Sequence, residues 1–483
     1  MASTSRHKAD SQHSTSSSSS SDVSDSSSES SSDSDAPLVQ IGTWTKRDLS
    51  RDVPAVLDSF IPTVITDASA PIDCLRQYFD EEFIGYTIDQ SNLYATHHNI
   101  KLTAPLTIPD FWKFIGCLLY MSCISLPRVT YYWKQATRQQ ILADSISRNR
   151  FLEILRVLHF NDPALEPAKT SVNYDKLYKI RPAIDQLNTR FLDAVVPEGF
   201  HSIDEQMIKW KGKTAPGGLK QYMPLKPISH GYKLYTRAGV SGYVYEVDLY
   251  SGKAHSIMPK MPLRSGSRKR PSATDSSSTT SAMSTSAIST STSSAISIST
   301  FYNPTQSVST PASVTDLGKS AEIVLKLSEK LPPNSRVYFD NYFGSVPLLK
   351  ELVKMNIWAV WTLRANRIAA CPIPQEKDMK KGPRGNYEYR THSTHGVLVC
   401  AWYDNRRVIL GSNYTGIQPV DTVRRFVKNQ GGETMVQRPH IVAVYNKHMG
   451  GVDLADMMIS LNPIERRFVS SKTVLWSFST NLM

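Results

Sequence analysis

Residues 445–460 read YNKHMGGVDLADMMIS. Two glycines, Gly450 and Gly451, break the run, and an amphipathic segment follows. Asp453 and Asp456 are three residues apart, so on a helix they share one face. Val452, Ala455 and Ile459 fall on a different, apolar side. The spacing predicts a helix with both carboxylates in its first turn, where the macrodipole favours negative charge. Acids beside a glycine hinge are also an ordinary way to begin a helix.

Two acids elsewhere in the chain change the weighting. Asp204 lies in residues 200–208, FHSIDEQMI, which read as a strand. Asp340 lies in residues 336–342, RVYFDNY, where an aromatic and β-branched run meets an acid. An Asp at the end of a buried strand is costly unless it is paired or binds a metal. Two carboxylates on strands and a third on a late helix can hold two divalent cations about 4 Å apart, provided the fold brings them together. Spacing alone does not show that it does. Glu205 follows Asp204 but points to the opposite face of a strand, and reads as structural. His448 reads as a hydrogen-bonded structural residue, and Trp358 and Trp361 read as core.

These blocks carry a resemblance. SIDEQM (202–207), VYFDNYF (337–343) and YNKHMGGVDLAD (445–456) resemble the three catalytic blocks of the piggyBac transposase family. NRFLEILRVLHFND (149–162), YYW (131–133) and, more weakly, SNLYA (91–95) resemble that family's N-terminal domain. The similarity runs in order from about residue 55 to about residue 467. One block alone is weak evidence; the ordered set is specific.

The resemblance implies an α+β, or α/β, chain with a helical N-terminal domain and a ribonuclease-H-like DDE core interrupted by a β-rich insertion. Residues 1–36 are an acidic Ser-rich tail, too poor in apolar side chains to fold. Residues 37–195 form the mostly helical domain, associated with dimerisation and DNA binding. Helical spacing is clear over 111–125 and 150–160, with Phe151, Ile154, Leu155 and Leu158 on one stripe. Residues 196–263 open the core, with strands at 231–237 and 243–250 flanking the hairpin signal AGVSG. Residues 264–315 are a Ser/Thr-rich insertion of low complexity. Growing a loop from about 10 to about 50 residues costs only roughly 1.4 kcal/mol, so the core can carry it. Residues 316–369 resume the core, with helices near 321–331 and 346–355 and a buried strand, IWAVWTL, at 357–363. Residues 370–440 are the β-rich insertion, and 441–483 hold the last catalytic helix. Family members continue past that helix with further apolar helices and often a Cys-rich zinc domain. This sequence loses the pattern after about Arg467 and reads as truncated, without a zinc domain.

The composition fits a nucleic-acid protein. The net charge is +12; residues 1–36 hold two basic and six acidic residues, a balance of −4, so the remainder carries +16. A basic body suits a polyanion such as DNA. The five cysteines, none in a CxxC pair, argue against a disulfide framework and against a zinc module. The longest apolar run, 114–126, is too short to cross a membrane, and the N-terminus has no signal peptide. Arg268–Arg270 reads as a nuclear import signal or as a solvated basic loop; a nuclear location follows from the family. Serines just before acids in 1–36 invite phosphorylation.

The resemblance assigns catalysis to Asp204, Asp340, Asp453 and Asp456. Asp204, Asp340 and Asp453 are the ligands for two Mg²⁺ or Mn²⁺ ions, because hard cations take carboxylate oxygens. Lys447, Arg364, Arg367, Arg466 and Arg467 are the candidates for gripping DNA phosphates. DNA is the expected partner, with a homodimer as the implied assembly. Two functions stay open: a cut-and-paste transposase using two-metal strand cleavage and transfer, or a domesticated, inactive DNA- or chromatin-binding descendant. The acids favour the first, and the missing C-terminal pattern and the inserted loop favour the second. Transposition at most weak is the expectation.

Overall fold

The computed structural model describes residues 43–56, 58, 61–63, 70–209, 219–224, 226–252, 317–368, 370–427 and 431–461. The Ser-rich segments 1–36 and 264–315, the import signal, the end of the chain, Arg466 and Arg467 lie outside the described residues.

Helices dominate the first third, as the apolar spacing requires. They are α1 (Pro71–Arg76), α2 (Glu81–His97), α3 (Ile108–Cys123), α4 (Gln140–Ser145), α5 (Arg148–Val157) and α6 (Arg181–Asp193). Local chemistry sets their starts. Asp80 accepts the Phe83 N–H at the start of α2, and Thr107 with Asp110 forms a capping box at α3. In α5, Phe151, Ile154 and Val157 are buried, while Arg150 leaves the stripe to bond Asp110 at 2.7 Å and Glu153 at 3.0 Å. That pairing makes Arg150 a structural cation.

The strands are β1 (Trp44–Thr45), β2 (Ile61–Pro62), β3 (Val195–Val196), β4 (Phe200–Lys209), β5 (Lys220–Tyr222), β6 (His230–Gly239), β7 (Val244–Leu249), β8 (Arg336–Phe339), β9 (Trp358–Thr362), β10 (Tyr387–His392), β11 (Val397–Tyr403), β12 (Arg407–Ser412), β13 (Asp421–Val427) and β14 (Gly432–Arg438). The later helices are α7 (Lys319–Ser328), α8 (Val346–Lys354), α9 (Glu376–Met379), α10 (His440–His448) and α11 (Gly451–Leu461). One large sheet runs β1-β10-β11-β12-β9-β8-β4-β6-β5, with β7 also on β6. Its centre is parallel: β8 pairs β4 on one side and β9 on the other. The remaining pairings are antiparallel.

Residues 370–440, expected as a β-rich insertion domain, are β-rich. Three of their strands, β10 to β12, extend the main sheet beyond β9, and β13–β14 is a separate hairpin. The N-terminal strap closes this end. β1 pairs β10, the Asp48 carboxylate accepts the N–H groups of Ile417 and Gln418, and the Arg51 guanidinium sits 5.1 Å over Trp358.

Strand alternation sorts the sheet into two apolar faces. Ile203, Val337, Phe339, Ala359 and Trp361 pack with residues of α7 and α8 on one face. Tyr338, Val360, Leu398 and Cys400 pack with Ile441 and Val442 of α10 on the other. The helical domain covers the β6–β7 end. There the Asn188 side chain pairs with both the N–H and the C=O of Val247 at 2.9 Å, acting as a backbone surrogate for β7.

Candidate metal centre

The register of the parallel strands builds the site. Ile203 of β4 lies beside Phe339 of β8, and Phe339 beside Trp361 of β9. The next residue along each strand is therefore Asp204, Asp340 and Thr362. By alternation Asp340 shares its face with Tyr338, and Thr362 with Val360, which is the α10 face. Asp204 shares its face with Ser202 and Gln206, both of which bond to α11. The two acids thus sit side by side, Asp340 just past the carboxyl end of β8, where open sheets place ligands, and Asp204 midway along β4.

Glu205 leaves β4 on the other face, as its position predicts, and accepts a hydrogen bond from Lys233 at 2.8 Å. Yet one ligand oxygen each from Asp204, Glu205 and Asp340 lie within 4.8 Å of one another. β8 ends at Phe339, beside Ile203, so no strand is paired with Asp204 and Glu205 on that side of β4. Sequence reasoning set Glu205 aside because alternation says nothing about where a neighbouring strand stops.

The acids of α11 are placed differently. The helix begins at Gly451, so Asp453 alone stands in its first turn and Asp456 one turn on. Val452 and Ala455 are buried against the sheet, which turns Asp453 outward: it is exposed and lies outside the three-acid group. Its charge still acts on Lys226, Tyr445 and Asp456. Asp456 accepts the Gln206 amide N–H at 3.0 Å, and Thr236 in turn donates to the Gln206 carbonyl oxygen at 2.7 Å. Ser202 Oγ accepts the Val452 N–H at 3.1 Å and holds the helix start. Nothing in the sequence marks Ser202 or Gln206 except the strand face they share with Asp204, and nothing marks Thr236 of β6.

Burial dominates the electrostatics. It raises the carboxyls of Asp340 and Glu205 above their ordinary range and pushes Asp456 up to about 6. Asp204 adds to the rise at Asp340, while the Tyr342 N–H, Lys226 and Arg364 oppose it. Lys226 donates to Asp204 Oδ2 at 2.9 Å; burial works against its charge, but Asp204 holds its proton. Tyr445 of α10 is bonded to Thr362 over these acids, its phenol raised by burial first.

Among the DNA-gripping candidates, Arg364 is exposed and donates to Asn341 beside Asp340 at 3.1 Å. Arg367 donates to the Tyr342 carbonyl at 3.0 Å, and Lys447 is exposed at the end of α10. His448 is buried, stacked on Phe200 and Tyr338 with Nδ1 on the Val444 carbonyl, a packing role. Trp361 is fully buried and Trp358 nearly so.

The oxygen set fits a hard divalent cation. Oxygens on one Mg²⁺ stand about 3–4 Å apart, since each bond is about 2.1 Å. Three carboxylate oxygens within 4.8 Å reach that spacing by small side-chain rotations. Cys and His are absent from the group, which favours Mg²⁺ or Mn²⁺ over zinc.

Comparison with known proteins agrees. Residues 70–270 and 276–482 match the family model described as Transposase IS4. Human PiggyBac transposable element-derived protein 3 is 30% identical over 421 residues, 86% of this chain and 60% of that protein. Human PiggyBac transposable element-derived protein 2 is 27% identical over 432 residues, 88% of this chain and 62% of that protein. This chain thus spans about 60% of the length of these relatives. The cryo-EM structure of a piggyBac transposase synaptic complex with hairpin DNA shares the fold, with a TM-score of 0.61 at 17% identity over 88% of this chain and 76% of that one. No helix among the described residues is long and apolar enough to cross a membrane. With the family model matched over most of this chain, the chain belongs to the piggyBac transposase family.

Proposed function

We propose that the chain carries a metal-dependent DNA strand-cleavage and transfer centre of the DDE type, acting on nuclear DNA. The observation that supports it is the β4–β8 register, which sets Asp340 beside Asp204 with Glu205 in reach. The antiparallel set β4, β6 and β7, followed by the parallel strands β8 and β9, supports a ribonuclease-H-like reading of the core. Asp204 and Asp340 would hold Mg²⁺, with Asp453 brought in from α11 when substrate arrives. Bound there, the ions would stabilise the attacking and leaving oxygens of a phosphodiester. Arg364 and Arg367, bonded to Asn341 and Tyr342 just past Asp340, would take the phosphates, with exposed Lys447 of α10 a further candidate. Asp456, fixed by Gln206, would set the angle of α11.

A second reading, a DNA-binding protein without catalysis, is favoured by one observation: Asp453 stands outside the acid group. One assay separates the two. Labelled DNA carrying candidate transposon ends is incubated with protein and Mg²⁺, wild type beside Asp340→Ala. Nicking by the wild type, lost by at least about a hundredfold in the variant, supports catalysis, since such carboxylates carry several kcal/mol of the barrier. Equal DNA binding by both proteins with no nicking supports the second reading.

A further inference from the structure

Lys226 is the feature of the site that neither the motifs nor the expected ligands explain. It sits in the short loop between β5 and β6, with Pro224 before it and Pro227 after it. Prolines fix the backbone on both sides. Met223 N–H to the Ser229 carbonyl at 2.8 Å, and Lys226 N–H to the Met223 carbonyl at 3.2 Å, close the loop. The loop therefore delivers this ammonium to one place. There it bonds Asp204 Oδ2 at 2.9 Å, with its own side chain only 21% exposed and that of Asp204 13%. It also acts on Glu205, Asp340, Asp453 and Asp456, so its charge reaches all five acids of the site. The other lysine on these acids, Lys233, is bound to Glu205 and lies over the Tyr235 and Tyr342 rings on the far face.

We propose that Lys226 is a tethered cation that competes with the divalent metal for Asp204, and that its ammonium, once displaced, moves to a DNA phosphate at the same centre. This rests on the metal-centre reading above. Oδ2 cannot serve a 2.9 Å ammonium bond and a 2.1 Å metal bond with the same geometry, and two cations a few ångströms apart repel. Lys226 is thus a positioning residue: it holds Asp204 beside the neighbouring carboxylates and sets the metal concentration at which the site loads. A lysine suits this exchange better than an arginine, whose planar fork would grip the carboxylate in two places.

The test is Mn²⁺ binding to the full chain, read by electron paramagnetic resonance of the free ion, for wild type, Lys226→Met and Lys226→Arg. Thermal unfolding in chelator shows that each variant is folded. The expected result is that Lys226→Met binds Mn²⁺ on the order of tenfold tighter than wild type, while Lys226→Arg binds no tighter than wild type. DNA nicking at saturating Mn²⁺ should nonetheless fall in Lys226→Met, a split that a purely structural lysine would not produce. Unchanged or weaker Mn²⁺ binding by a folded Lys226→Met overturns the proposal for Lys226 and leaves the metal centre standing. Failure of wild type and Lys226→Met alike to bind Mn²⁺ overturns both.

Discussion

At the scale of single residues, the acids on the strands were legible and their neighbours were not. Asp204 and Asp340 stood out because a carboxylate at the end of an apolar run needs a reason. Gln206, Thr236 and Lys226 carry no such signal, since polar residues in strands and loops are common and their partners lie far away in sequence. Asp456 shows what the site costs the fold. Burial raises its carboxyl from 3.8 to about 6, so the protonated form is the one the folded state favours. The associated stability is fully present below about pH 4 and is lost as pH rises through about 6. Asparagine cannot ionise and escapes that loss. Asp456→Asn in chelator is therefore expected to be more stable than wild type by about 3 kcal/mol near pH 8 and to gain almost nothing near pH 4. Denaturant unfolding at the two pH values reads the difference, and an equal effect at both would show that Asp456 does not titrate as a buried acid.

At the scale of elements, strand and helix periods located most of the pieces. The hairpin β6–β7, the helices α3, α5, α7 and α8, and the strand β9 lie within a few residues of their sequence-based positions. Asp456 was expected in the first turn of α11 and lies one turn on, because the helix begins at Gly451 itself rather than after the glycine pair. Contact fixes that start. A Cβ on Gly451 would stand 2.2 Å from the Gly239 carbonyl oxygen and 2.8 Å from Ser202 Oγ, whereas one on Gly450 would meet nothing within 4 Å. Gly451 is the point where α11 touches the β4–β6 pair. Gly451→Ala is expected to cost about 1–3 kcal/mol, since packed backbone cannot yield. It should also loosen α11, seen as faster amide exchange over residues 452–458. Gly450→Ala should be close to neutral. Matching losses in both variants would mean that the helix is not seated by that contact.

At the scale of the whole molecule, the strand register was the part that no sequence pattern could give. Alternation predicts which residues share a face within one strand, but not which strand lies beside it or where that neighbour ends. Here β8 lies between β4 and β9, and its end at Phe339 lets Glu205 join two acids from the opposite face. The continuity of β10 to β12 with the core sheet was likewise invisible, because a strand's sequence does not name its partner. Charge was legible from composition alone. The basic body is expected to bind duplex DNA with little sequence preference, and log affinity should fall linearly with log salt. Replacing Arg364 and Lys447 together by Ala should flatten that slope by roughly two, about one unit per phosphate contact. An unchanged slope would place the DNA elsewhere.

On the proposed reading Asp204 and Asp340, far apart in sequence, share one divalent cation. Iron can report this directly: Fe²⁺ bound at a Mg²⁺ site, with ascorbate and peroxide, cuts the backbone within a few ångströms of itself. The full chain treated in this way should be cut at two places, near residue 204 and near residue 340, in the same reaction. Mg²⁺ should suppress both cuts, and Asp340→Ala should abolish both together. Cuts at only one of the two sites, or a cut near residue 204 that survives Asp340→Ala, would contradict it.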